Sequence, residues 1–349
     1  MRTGENSYVN RCNPFLEQLC SDCSLIGKRI VGIDVDELKY MYAQSARPID
    51  LEDHLLQLVK SEGARAARIY LINKFCEFVH FCCTSEDINN LSYSLMLQRF
   101  LSQEFSPAID ALQKKLHMMA KKWAKISMLA FTHGQPASPT TLGKEFANFS
   151  YRLKFHSDLI KSIKQNGKFN GASGNYNAHL IANHRINWEM LSKKFVSSLG
   201  LNFSTHSTQI ELKDAMAYQL SNTHNLNNVL IDLAQDIWLL ISKNYLKQNL
   251  KAGEVGSSTM PHKVNPIDFE NAEGNLSIAN GLLIALKNKI QISRLQRDLS
   301  DSTVLRNLGT LFAYIIISLD SFEKGLNKIV PNKEIIVDFD VTLLLKRHE

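Results

Sequence analysis

Residues 214–245 read DAMAYQLSNTHNLNNVLIDLAQDIWLLISKNY. Leu220, Leu226, Leu230, Leu233, Ile237, Leu240 and Ile241 recur at steps of three and four, the spacing that lines one face of an α-helix. The pattern runs well past the usual length of a globular helix. No proline occurs between Pro139 and Pro261, so long helices are permitted on both sides of it.

Working outward, the same periodicity runs through Pro107–Ala124, Thr141–Ile163, Asn265–Ile290 and Thr303–Leu326. Strand-like alternation is hard to find in these segments. Helices of this length joined by Gly/Ser/Thr/Asn-rich connections predict an all-α fold, an elongated long-helix bundle. The expected division is a reduced N-terminal helical domain at 1–92, a central bundle at 93–330, and a remnant of a C-terminal domain at 331–349. The apolar residues Ile335, Ile336, Val337 and Leu343–Leu345 have little left to pack against, so most of that last domain is expected to be missing.

Composition bounds the function. The 349 residues are 44% hydrophobic and 21% charged, an ordinary globular balance that excludes a disordered tail or a disulfide scaffold. The net charge of +6 comes from scattered lysines and arginines, which suits anionic ligands but predicts no nucleic-acid partner. All six cysteines (Cys12, Cys20, Cys23, Cys76, Cys82, Cys83) lie in the first quarter; Cys20 and Cys23 form a lone Cys-x-x-Cys, read as reduced thiols with no metal site. The longest apolar stretch, Leu311–Leu319, falls short of a membrane span, and the N-terminus lacks the apolar region of a signal peptide. A cytoplasmic location and no membrane partner are expected.

Four polar segments could carry chemistry. Gly253–Pro266 (GEVGSSTMPHKVNP) is a small-residue loop running into a helix; its amides and hydroxyls could bind an oxyanion, with Lys263 adding positive charge. Its plainer reading is a Gly/Ser turn before a Pro-initiated helix. Thr132–Ala137 (THGQPA) places His133 beside a glycine on a loop, where an imidazole can act as acid or base near pH 7, or be simply structural. Ser293–Asn307 (SRLQRDLSDSTVLRN) offers Arg297 and Arg306 with Ser302 and Thr303 for phosphate or carboxylate, while Asp298, Ser300 and Asp301 can equally start a helix. Thr84–Asn90 (TSEDINN) reads either way as well.

In order, and with Gly174–His179 (GNYNAH), these segments resemble the adenylosuccinate lyases of the fumarase/aspartase superfamily from about Phe75 to Gly325. The stretch from Gly256 to Pro266 matches the superfamily signature, and His262 within it is characteristic of the adenylosuccinate branch. The resemblance implies a cofactor-free β-elimination that releases fumarate from a succinylated purine nucleotide. It makes Ser257 the base, His133 the general acid, Lys263 a stabiliser of the carbanion's carboxylate, and Glu270 the carboxylate that orients the imidazole. Tyr8, Thr84, Ser85, Gln209, Ser258, Asn265, Asn271, Arg297, Ser302, Thr303 and Arg306 fall at substrate-binding positions. The resemblance also implies a homotetramer whose active sites are each assembled from three subunits.

The match departs at the ends. Tyr8 is retained where the family opens with Asp-Gly-Arg-Tyr, but Ser7 stands in place of the arginine. Ser61–Arg65 aligns with the family's Asn-His-Asp-Val-Lys without its His-Asp pair. Two classes are therefore carried forward: a purine-pathway lyase with a reduced substrate cradle, and a weakly active or inactive lyase-like bundle acting as a relic or assembly partner.

Overall fold

The structure, a computed structural model, describes residues 82–249, 264–332 and 334. The chain divides into two compact units: Met1–Cys82 with Tyr176–Trp188, and Cys83–Asn175 with Glu189–Glu349. In the described part of the first, a short helix, Asn177–Ala182, sets His179 between the rings of Tyr176 and Trp188, at 5.5 and 5.0 Å.

The second unit is built on helices α1 (Ser85–Phe100), α2 (Ser106–Lys122), α3 (Leu142–Ser162), α4 (Glu189–Ser198 of a helix that begins at Trp188), α5 (Asp214–Ser242), α6 (Ile267–Ile290), α7 (Ser300–Leu305) and α8 (Leu308–Lys328). A π-helical segment, Leu101–Phe105, joins α1 to α2, so residue 92 lies inside continuous helix. Four of the five helices expected from periodicity form within a few residues of their expected bounds, while the one expected at Thr303–Leu326 is interrupted at Arg306–Asn307, between α7 and α8. Leu220, Leu226, Leu230, Leu233 and Ile237 of α5 are all buried, and Leu240 and Ile241 pack against the same core. Packed on α5 are α6, with Leu276 and Leu283, and α3, with Leu153; Leu311, Ile315 and Phe322 extend the same core on α8, which packs against α6. Burial of each such side chain contributes about 1.5–3 kcal/mol, which outweighs any single surface contact. Gly325 lets α8 close on α6, because a Cβ there would stand 2.7 Å from the Phe269 ring.

Two further expectations are corrected. The loop that carries THGQPA is the tip of a β-hairpin, whose strands the sequence reading does not contain: β1 (Ser127–Thr132) pairs antiparallel with β2 (Gln135–Thr141), Thr132 opposite Gln135. His133 and Gly134 both have positive φ, 53° and 72°, as a two-residue type I′ turn requires. Pro136 and Pro139 disguise β2, and a strand with only one neighbour tolerates them. Secondly, the stretch Ser300–Lys328 is long and apolar enough to cross a membrane by length and composition. Its Leu311, Ile315 and Phe322 instead line the bundle core.

Candidate active site

Helices α5 and α6 run antiparallel, and this decides where the site residues fall. At the start of α5 the carboxylate of Asp214 accepts a 2.7 Å bond from Gln291, just past the end of α6. Near the end of α5, Trp238 Nε1 donates to Glu270 Oε1 at 3.0 Å, in the first turn of α6. The 29 residues of α5 span about 43 Å at ~1.5 Å per residue.

One end of α5 gathers the substrate-binding candidates. The Arg297 guanidinium reaches Glu86 Oε1 at 3.0 Å and Ser85 Oγ at 3.4 Å, at the start of α1. Thr84 caps α1, its N–H donating to Asp87 Oδ2 at 2.8 Å, so the capping reading of TSEDINN holds alongside any binding role. Ser302 donates its N–H to Asp301 Oδ1 at 2.7 Å, and the other oxygen of Asp301 takes a 2.9 Å bond from Lys213 Nζ. Asp301 and Lys213 are both buried. Burial works to raise the Asp301 carboxyl, but the ammonium of Lys213 together with the N–H and hydroxyl of Ser302 outweighs it and holds the group below its ordinary value. Next to them Glu211 is pushed up by burial, against the backbone N–H and charge of Lys213. Gln209 sits half-buried on the same loop, and Thr303 and Arg306 stand exposed on and just after α7.

Asp298 acts as a turn residue. Hydrogen bonds from the hydroxyl and N–H of Ser300 hold its carboxyl at about 2.

The other end of α5 carries the candidates for chemistry. His133 is exposed at the hairpin tip. The hairpin is tied to the end of α5, where Phe131 meets the Tyr245 ring edge-on at 5.6 Å and Lys243 Nζ lies 4.3 Å over Phe131. Glu270 bonds Trp238 within the chain and not His133. Asn271 donates to Ser321 Oγ at 2.7 Å, and Asn265 is half-buried just before α6. Tyr8, Ser257, Ser258 and Lys263, together with Ser7 and Ser61–Arg65, lie outside the described residues. The structure therefore brings Ser85, Gln209, Arg297, Ser302 and Arg306 to one end of α5 and His133, Glu270 and Asn271 to the other.

Sequence reasoning missed the buried groups around the first end. Lys168 is wholly buried and pairs with Asp87 at 2.9 Å. Burial pulls its ammonium down even though Asp87 works to raise it. Tyr93 lies close enough to Glu86, Asp301 and Arg306 to feel their charges; burial, with the two carboxylates, raises its phenol against Arg306. The only signal for Lys168 was a lysine set against Phe169 and Gly171, which does not separate a buried cation from a surface one.

The long-helix bundle is consistent with the fold of lyases of the fumarase/aspartase type. A family model described as a lyase matches residues 57–281, and one described as the adenylosuccinate lyase C-terminal region matches 293–341. The chain is similar to the adenylosuccinate lyase of Legionella pneumophila (strain Corby), 49% identical over 282 residues that cover 78% of this chain and 62% of the relative. To the adenylosuccinate lyase of Haemophilus influenzae it is 48% identical over 260 residues, 74% of this chain and 57% of the relative. To that of Escherichia coli (strain K12) it is 45% identical over 274 residues, 78% and 60% respectively. This chain belongs to the adenylosuccinate lyase family. It spans about three fifths of the length of the curated relatives it matches.

Proposed function

We propose that the protein releases fumarate from adenylosuccinate, giving AMP, and from the succinylated aminoimidazole carboxamide ribotide, in purine nucleotide biosynthesis in the cytoplasm. The observation that carries this reading is the likeness to relatives named adenylosuccinate lyase, supported by family models at 57–281 and 293–341 that take in the candidate site residues from Thr84 to Arg306.

In this reading Ser257 removes a proton from the succinyl carbon next to a carboxylate. Lys263 and Asn265 hold that carboxylate as negative charge builds on it. The electron pair left on carbon forms the double bond of fumarate while the C–N bond breaks. The departing nitrogen takes its proton from His133, which Glu270 orients. Thr84, Ser85, Gln209, Arg297, Ser302, Thr303 and Arg306, with Tyr8, Ser258 and Asn271, hold the nucleotide's phosphate and the remaining carboxylate.

A homotetramer with shared active sites fits the separation of these groups. His133 and Arg297 are tied to opposite ends of a helix about 43 Å long, too far to serve one small substrate within one chain. Exposed apolar side chains on α3, α5, α6 and α8, among them Tyr151, Tyr218, Ile278 and Ile317, supply faces for other copies to cover. The test is fumarate release from adenylosuccinate by purified protein, followed in the ultraviolet, with the oligomer sized by light scattering. A folded protein without turnover would overturn the reading in favour of an inert bundle.

A further inference from the structure

The Asp87–Lys168 pair is buried far beyond what a helix cap needs. Lys168 is wholly inaccessible, and Asp87 is only 1% exposed. Removing two charges from water costs several kcal/mol per ion, and such pairs are on balance weak contributors to stability. The geometry shows what this one holds. The two oxygens of Asp87 accept from Lys168 Nζ at 2.9 Å, Thr84 N at 2.8 Å, Asn170 N at 3.1 Å and Gly171 N at 3.2 Å. Lys168 Nζ also donates to Gly171 O at 2.8 Å, and Asn90 bonds both the N–H and the carbonyl of Lys168.

Three candidate substrate-facing segments hang from this knot. Thr84 and Ser85 form the turn whose N–H Asp87 fixes. Glu86, the next residue, holds Arg297 at 3.0 Å. Asn170 exchanges side-chain hydrogen bonds of 2.8 and 3.1 Å with Ser207, on the loop that carries Gln209. Gly174, at φ +75°, lets the 170–175 segment press against that same loop, since a Cβ there would meet Ser207 O at 2.3 Å.

We infer that Asp87 and Lys168 are positioning residues for substrate binding: their ion pair sets the Thr84–Ser85 turn, the Arg297 guanidinium and the Gln209 loop in one fixed arrangement. The inference rests on the adenylosuccinate reading above. Neither residue touches the nucleotide; both act through the segments they bind.

The experiment compares wild type with Lys168→Met and Asp87→Asn in the full-length oligomer, measuring KM and kcat for adenylosuccinate, AMP binding by calorimetry, and the unfolding midpoint. In the folded variants KM and the AMP dissociation constant rise by about 10- to 100-fold, with a smaller fall in kcat, as loss of hydrogen bonds between charged groups and substrate predicts. A lowered midpoint with unchanged KM and AMP affinity overturns the inference, because a purely structural brace reduces only the folded fraction. Asp87→Asn keeps the shape and one acceptor oxygen, so it decides the matter where Lys168→Met does not fold. A wild type that neither splits adenylosuccinate nor binds AMP defeats the underlying reading. Failure of the inference alone shows as an active wild type beside variants with its KM.

Discussion

The two ends of α5 are built differently. At its start, Lys213–Asp301, Asp87–Lys168 and Glu86–Arg297 place six charged groups in three ion pairs, five of the six buried. At its end, His133 stands exposed on a two-residue turn, and Glu270, among the described residues, accepts a bond from Trp238. The first end is preorganised within the chain, as binding a charged ligand favours. The second presents His133 outward, where the proposed function has another copy of the chain complete the site. Under the proposed function, this arrangement would divide binding and proton transfer between the ends of one long helix.

The largest expected effect falls on the exposed end. His133→Ala and Ser257→Ala should each lower kcat for fumarate release by about 100- to 10,000-fold, the range for loss of an acid or base. For His133→Ala the unfolding midpoint should not move, because the exposed ring holds no part of the core. A near wild-type rate from either variant would remove that residue from the chemistry.

Arg297→Ala strikes the opposite end. It leaves Glu86 buried without its partner, so both stability and substrate KM should suffer, the latter by about tenfold or more. Mixing His133→Ala with Arg297→Ala and refolding them together should then restore part of the activity. A hybrid oligomer contains some sites in which one chain supplies an intact His133 and another an intact Arg297. No recovery would mean that the two ends of α5 do not share sites between chains.

The bundle was legible because helix period and burial are one signal: Leu220, Leu226, Leu230, Leu233 and Ile237 point inward on every turn. The site residues were legible as types in motifs, but their division between two ends was not. That division depends on α5 and α6 running antiparallel, a tertiary fact no local pattern contains. The hairpin escaped because Pro136 and Pro139 in so short a strand read as loop. The ion pairs escaped because Asp87 and Lys168, like Lys213 and Asp301, are far apart in sequence, and a lysine's burial leaves no mark on its neighbours.

The Lys213–Asp301 pair gives a pH test of the preorganised end. The Asp301 carboxyl is held below its ordinary 3.8, so its contribution is present above that value and is lost as pH falls through the lower folded value. Wild type should therefore be more stable than Lys213→Met at pH 7, and the difference in unfolding midpoint should close below about pH 3.8. A difference that stayed constant to pH 2 would assign the effect to packing of the lysine stem.

The smallest expected effect returns to the hairpin tip. Gly134 has a φ of +72° and open space around the position of a Cβ, so Gly134→Ala meets no clash. Its cost is conformational, about 1–2 kcal/mol for an L-residue held in the left-handed region. That cost falls on a two-stranded hairpin anchored by Phe131 and Tyr245, so the turn should persist, with a slightly lowered denaturation midpoint. Turnover should then drop far less than in His133→Ala, since the imidazole remains at the tip. Should Gly134→Ala instead match His133→Ala in lost activity at nearly unchanged stability, the backbone conformation of the tip would be as necessary as the imidazole. The exposed end would then be preorganised too, through two positive φ angles in place of buried charges.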